Sequence, residues 1–362
     1  MGIRDRVLGT AVAALLGWKS RPGPIDAVIG RQRGPRAAVP SRDRVTAAAV
    51  QMEFNLLDGG AQYAEKVYAL ARAAVDRGAQ LVVFPEYAWT PLLGMLPGIA
   101  DLARRSSGGL ESAVEELGTG AGLADIFRTV APSVERAFRA TGRAVSRALG
   151  IYLVSGSTIS VDDSGRLYNI AYLFGPDGSL IGTQKKLHPF TNERDWLTCG
   201  SSLETFSLPF ASLSVPVCMD FTYWETTRLA WHAGAEILVN PSADTDGDAE
   251  FLAARGVQTR VQECLAYGIL SNLVTDLFGL HFRGPSRIVA PIGVDPRGAT
   301  LARAATADRE EIVVADLDLA RLREFRELQA PEFNETLHRR YFPHAYDEYR
   351  RRVERDGKRL VV

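Results

Sequence analysis

Three short apolar runs, each breaking off at a residue able to do chemistry, constrain this chain more than any other feature. Leu81-Val82-Val83-Phe84-Pro85 leads to Glu86, Val215-Pro216-Val217 leads to Cys218, and Ile237-Leu238-Val239 leads to Asn240-Pro241-Ser242. Apolar runs of this length bounded by turn residues read as strands buried on both faces. Such strands must be covered on each side, so the chain has to build layers of helix and sheet around them.

The rest of the sequence supplies those layers. Val45 to Gln51 reads as a strand, Gln62 to Arg77 as an Ala-rich helix stopped by Gly78, and the next strand runs toward Glu86. Residues 88 to 148 are helix-rich, with breaks near Ser107-Gly109 and Gly118-Gly122, and this interval is long enough to form a lid or wall. Strands are expected at Ile151 to Ser160, Leu167 to Phe174 and Ser179 to Lys186, with Asp162-Asp163-Ser164-Gly165 and Pro176-Asp177-Gly178 as the turns between them. Later strands fall at Leu213 to Cys218, Ile237 to Asn240, Tyr267 to Val274, Arg287 to Ala290 and Glu311 to Ala315. The expected class is α/β, with helices covering a large sheet system.

A thiol (Cys218), a carboxylate (Glu86) and an ammonium (Lys186, in Lys185-Lys186-Leu187-His188) stand at or just past the ends of such strands. The set suits attack on a carbon–nitrogen bond. A thiol is weakly ionised at neutral pH, so a carboxylate serves as its base and a cation favours the thiolate. Attack throws charge onto oxygen or nitrogen, which an ammonium and backbone N–H groups stabilise. The carboxyl then returns its proton to the departing amine. Taken alone each residue has a plainer reading: Cys218 as a small core residue, Glu86 as a loop charge, Lys186 as a surface ion-pair partner.

The motifs together resemble the nitrilase, or carbon–nitrogen hydrolase, superfamily, whose signature is Glu, Lys and Cys in that order. Gly78-Ala79-Gln80-Leu81-Val82-Val83-Phe84-Pro85-Glu86 matches its first motif and Lys186-Leu187-His188 its second, with Pro189 where Leu is common. Cys218-Met219-Asp220 matches the third, with Trp224-Glu225 in place of the usual Pro-Glu. The resemblance continues through Gly234 to Ala243, Arg260-Val261-Gln262-Glu263 and Gly284-Pro285-Ser286. It implies an αββα sandwich with the triad at one end, a homodimer or larger homo-oligomer, and no cofactor or metal. By the same resemblance Glu193 is the second glutamate set against the lysine, Met219 gives its N–H to an oxyanion hole, and Asp220 anchors the turn. His188 is read as structural. Tyr87, Phe221, Tyr223 and Ser242 are candidate substrate contacts.

The activity implied is hydrolysis of an amide or N-carbamoyl substrate through a cysteine thioester, releasing ammonia or an amine. Nitrile hydrolysis is the alternative, set second because nitrile-acting members often carry Cys-Trp-Glu where this chain has Cys218-Met219-Asp220. A catalytically silent binding or scaffold subunit is a third reading. Composition excludes other classes: a net charge of -1 leaves no footprint for nucleic acid. Cys199, Cys218 and Cys264 form neither a zinc pair nor a disulfide framework, which suits a reducing, cytoplasmic setting. The five histidines show no metal-ligand spacing, there is no Gly-x-Ser-x-Gly elbow, and Gly118-Thr119-Gly120-Ala121-Gly122 lacks dinucleotide-loop spacing.

Three parts are expected: an extension over residues 1–44, a hydrolase domain over 45–345 and a mixed-charge tail over 346–362. Pro, Gly and Arg punctuate the extension, which reads as poorly ordered or docked on the surface. A short amphipathic helix touching a membrane surface or a partner is its less favoured alternative, and a secretory signal fits poorly.

Overall fold

The computed structural model describes residues 3–116, 122–245, 254–295 and 299–329, with isolated positions at 336, 337, 340, 347 and 351. The glycine break over 118–121 and most of the expected C-terminal tail lie outside the described residues.

Two sheets carry the structure. One contains β1 (Arg44–Glu53), β2 (Leu81–Val83), β3 (Tyr152–Val161), β4 (Leu167–Phe174), β5 (Leu180–Lys185) and β12 (Glu311–Asp318). The other contains β6 (Thr205–Ser207), β7 (Ser212–Ser214), β8 (Ile237–Ser242), β9 (Tyr267–Val274), β10 (Arg287–Val289) and β11 (Thr300–Arg303). The sheets meet where the end of β1 pairs with β9, Met52 opposite Leu273 and Glu53 opposite Val274.

The two-residue period of the strands assigns their side chains to layers. Val45, Ala47 and Ala49 of β1, Leu81 and Val83 of β2, and Ile237 and Val239 of β8 share one core with Tyr267 and Ile269, which fills the space between the sheets. The alternate residues Ala48, Val50, Met52 and Val82 face outward and pack against α2 (Pro22–Gly30), α3 (Gly60–Val75) and α6 (Leu123–Leu149). Leu238, on the outer face of the second sheet, packs with α7 (Trp224–His232) and α8 (Val257–Cys264). The layer order is therefore αββα, as the resemblance implied.

The segment before β1 is more structured than its Pro and Gly content suggested. It forms α1 (Ile3–Lys19) and α2, with Pro22 opening the second helix where its missing N–H costs nothing. Leu16, Ile25, Val28 and Ile29 join the outer core with α3 and α6. A Cβ at Gly60, the first residue of α3, would lie 2.9 Å from Ile25 Cδ1 and 3.3 Å from Ala137 Cβ, so the helices touch closely. Apolar periodicity there was masked by turn-forming residues, and burial against α6 overrode local propensity. The interval after β2 holds a 3₁₀ turn over Thr90–Met95, then α4 (Ile99–Arg105), α5 (Gly109–Glu116) and α6. The last described helix is α9 (Leu319–Gln329).

Both chemistry-bearing strands end earlier than expected. The strand read over Leu213 to Cys218 stops at Ser214: Pro216 has no N–H to give a ladder, and the Val217 N–H is taken by Asp220 Oδ2 at 2.9 Å. Strand β2 stops at Val83, and the chain crosses β3 at Gly156, whose positive φ of 78° coincides with a register shift between Val154 and Ser157. A Cβ at Gly156 would lie 2.0 Å from the Pro85 carbonyl oxygen. That glycine lets the Pro85–Tyr87 turn sit against the sheet. Gly156→Ala is expected to lower stability by at least about 2 kcal/mol, combining left-handed strain with overpacking, as a drop in the urea midpoint at unchanged slope would show.

Candidate active site

Strands β1, β2 and β3 run parallel, as do β7, β8 and β9, and the candidate residues gather at the carboxyl ends of these runs. Glu86 follows β2 and is 1% exposed. Its Oε1 accepts hydrogen bonds from Lys186 Nζ at 2.7 Å and from Asn169 Nδ2, on β4, at 2.8 Å. The next residue, Tyr87, has φ 56° and is pinned by its N–H to Ser157 Oγ at 3.0 Å. A non-glycine residue in this region is strained, and such strain collects at functional sites.

Lys186 lies just past β5, and its N–H bonds back to the Asn169 carbonyl at 2.8 Å. The ammonium is 2% exposed and bridges Glu86 Oε1 and Glu193 Oε2, 2.7 Å from each. Glu193 sits in a 3₁₀ turn over Thr191–Asp195; its carboxylate also accepts the Phe190 N–H at 2.6 Å and a hydrogen bond from the Tyr87 hydroxyl. Burial by itself would lower the Lys186 pKa, but Glu86, Cys218 and Glu193 outweigh it and raise it, keeping the ammonium charged. Burial, with Glu193 and Glu86 close by, pushes the Tyr87 hydroxyl well up, so it remains a donor.

Cys218 opens a 3₁₀ turn over Cys218–Thr222 with its own φ at 47°. The thiol faces Glu86, Lys186 and Ser242, and Ser242 Oγ donates to Asp244 Oδ1 at 2.5 Å. Burial, then the Glu86 charge, holds the thiol well above its ordinary range, against the pull of Lys186. Glu86 is pushed up to about 7 by burial, with Lys186 opposing and Glu193 adding to the rise. The resting site is thus a protonated thiol beside a carboxylate that titrates near neutrality.

Asp220 locks the pieces together. Fully buried, it accepts from the N–H groups of Val217 at 2.9 Å, Leu187 at 3.1 Å and His188 at 2.8 Å, and lies 3.0 Å from His188 Nδ1. It therefore clamps the turn bearing Cys218 to the loop bearing Lys186. The His188 ring stacks on Tyr223 at 4.3 Å between centroids.

These groups open into a cavity of about 680 Å³, lined by Glu86, Lys186, Glu193 and Cys218 together with Tyr87, Met219, Phe221 and Ser242. Tyr223 is not among its lining residues; stacking on His188 turns its ring to another task. The 88–148 interval supplies part of the wall, including Trp89, Leu93, Leu123 and Phe127. Among the described residues no cluster of His, Cys, Asp and Glu is placed to hold a metal ion, and no helix is long and apolar enough to cross a membrane.

The family model for carbon-nitrogen hydrolase matches residues 46–327. The chain belongs to the carbon–nitrogen hydrolase family. It is 32% identical to the human omega-amidase NIT2 over 205 residues, 53% of this chain and 70% of that one. Among solved structures, Nit3 of Saccharomyces cerevisiae, a member of branch 10 of the nitrilase superfamily, superposes with a TM-score of 0.60 at 21% identity, covering 81% of this chain and 96% of that one. An amidase from Nesterenkonia sp. gives 0.56 at 22% identity, covering 84% and 98%. These two establish the fold. With its family set, this chain is an amidase-like carbon–nitrogen hydrolase.

Several residues of this candidate site escaped the sequence reading. Asn169 is one: it lies within a run, Leu167–Phe174, that reads only as a buried strand, yet its amide holds Glu86. Trp196 and Asp244 are others, and a Trp three residues after Glu193 was the one hint. Asp220→Ala is expected to cost on the order of 3 kcal/mol by orphaning several buried N–H groups, and to slow alkylation of Cys218. Denaturant titration and iodoacetamide labelling on the same preparation test both.

Proposed function

We propose that this hydrolase cleaves a non-peptide amide or N-carbamoyl bond through a Cys218 thioester, with Glu86, Lys186 and Glu193 as its partners. The observation that carries the reading is Cys218 sharing one cavity with Glu86 and Glu193, both of whose carboxylates lie 2.7 Å from the buried Lys186 ammonium. In this reading Glu86 takes the thiol proton as sulfur attacks the carbonyl carbon, and the π electrons move onto oxygen. An ammonium has three donors; Glu86 and Glu193 take two of those on Lys186, which leaves one for the oxyanion beside the Met219 N–H. Collapse breaks the C–N bond, the leaving nitrogen receives the proton from Glu86, and water deprotonated by the same carboxylate then hydrolyses the thioester.

Glu193 has a positioning part in this scheme. Held by Tyr87 and the Phe190 N–H, it keeps Lys186 in place without touching the nucleophile. A homodimer or larger homo-oligomer and a cytoplasmic setting complete the proposal, and light scattering on the purified protein checks the former.

The pH dependence follows from the Glu86 carboxyl. Below about 7 it is protonated and cannot accept the thiol proton, so kcat/KM should rise as pH passes upward through about 7. Glu86→Gln should remove both that limb and most of the rate. Cys218→Ala should abolish ammonia release from amides and N-carbamoyl amines, while Cys199→Ala should leave it intact. Carboxylate formed from nitriles but not from amides would sink the amide assignment.

A further inference from the structure

The walls of the cavity identify a class of substrate, resting on the amide-hydrolase reading above. At about 680 Å³ the cavity exceeds what a small aliphatic amide needs and falls within the range, about 300 to 1,000 Å³, that accommodates ligands of drug size. Its composition is lopsided. Glu86, Lys186 and Ser242 surround Cys218, whereas the interval after β2 and the turn after Glu193 contribute rings.

Trp89 and Phe127 meet edge to face at 5.8 Å between centroids and 84°, and Phe127 meets Trp196 at 4.8 Å and 63°. Leu123, Leu280 and Phe282 extend the lining, and Leu123, Trp196 and Leu280 are only half-buried, leaving apolar surface for a ligand to cover. The wall is mechanically tied to the chemistry: the Trp196 backbone N–H donates to the Glu193 backbone carbonyl at 3.1 Å, and Trp89 stands two residues beyond Tyr87. Trp89 and Phe127 are 1% and 3% exposed and back the wall, so the apolar surface offered to an incoming aromatic group is that of Trp196, Phe282, Leu123 and Leu280.

The cation Arg287 also lines the cavity, held by two neutral acceptors. Its Nη1 donates to Gln258 Oε1 at 3.3 Å and its Nε to the Pro285 carbonyl at 3.4 Å. An acidic acyl group drawn to Arg287 would leave the apolar wall uncovered.

We infer that the substrate of this site is an amide whose acyl part is bulky, uncharged and ring-bearing, seated against Trp196, Phe282, Leu123 and Leu280 with its carbonyl at Cys218. Small amides and the monoamides of dicarboxylic acids are poor substrates because they bury little of that wall.

The experiment compares acetamide, 3-phenylpropanamide and succinic acid monoamide as substrates of the full chain. It also measures 3-phenylpropanamide binding to Cys218→Ala by calorimetry. A single methylene in an apolar pocket is worth about 10-fold to 200-fold in kcat/KM. The ring-bearing amide should therefore exceed acetamide by at least about 100-fold, and Phe282→Ala and Trp196→Ala should each lower that ratio. A second variant, Leu280→Trp, narrows the cavity without removing a wall ring and should lower the same ratio.

Acetamide or the acidic amide turning over as fast as the ring-bearing one would overturn the substrate assignment and leave the amide reading standing. Binding of 3-phenylpropanamide to Cys218→Ala, with no amide hydrolysed by the unaltered chain, would keep the assignment of the wall and overturn the amide reading. Absence of both binding and hydrolysis would overturn both.

Discussion

A buried ammonium between two carboxylates organises this molecule. Taking Lys186 out of water is costly unless partners with good geometry surround it, and the chain meets that demand from two separate segments, Glu86 after β2 and Glu193 in the turn beyond Lys186, with the Cys218 turn after β7 brought up beside them. Each partner is held by others in turn. Asn169 fixes Glu86, the Tyr87 hydroxyl and Phe190 N–H fix Glu193, and Asp220 fixes the loops on which Lys186 and Cys218 ride. The charges are thus preorganised before any substrate arrives, which is the condition under which electrostatic stabilisation of a transition state is most effective.

The same burial sets the proton inventory. Desolvation lifts Glu86 to about 7 and keeps Cys218 protonated, so the carboxylate and the thiol are poised to exchange one proton near neutral pH. An ionised thiol would gain Lys186 but would face two carboxylates, and the net effect favours the neutral form at rest. Backbone strain belongs to the same arrangement. Tyr87 and Cys218 both have positive φ, each at the first bend beyond a strand, because only a sharp turn aims a side chain back over the sheet ends.

The αββα layering explains why the site lies where it does. Odd-numbered residues of β1, β2 and β8 fill the space between the sheets and even-numbered ones face the helices, so the apolar runs give way to chemistry-bearing side chains only toward the strand ends. The outer layer also absorbs α1 and α2, and the interval leading to α6 closes over the carboxyl ends to wall the cavity.

How much of this was legible beforehand differs by residue. Glu86, Lys186, Glu193 and Cys218, which the fold brings together, were each marked beforehand by an apolar run or a family motif, and the layered α/β class followed from the runs themselves. The strand boundaries near Pro85 and Pro216 were misplaced, since a run of apolar residues does not say where its ladder loses hydrogen-bond partners. Asn169 and Asp244 gave no signal, and Tyr223 gave a misleading one: an aromatic residue near a nucleophile has the same sequence signature whether it lines a cavity or stacks on His188. By itself the sequence determined which chemical groups exist and which segments must be buried, because both depend on local composition and period. Tertiary structure decided which groups meet, how burial shifts their protons and what shape of cavity they face, because distance and desolvation arise only when remote segments pack.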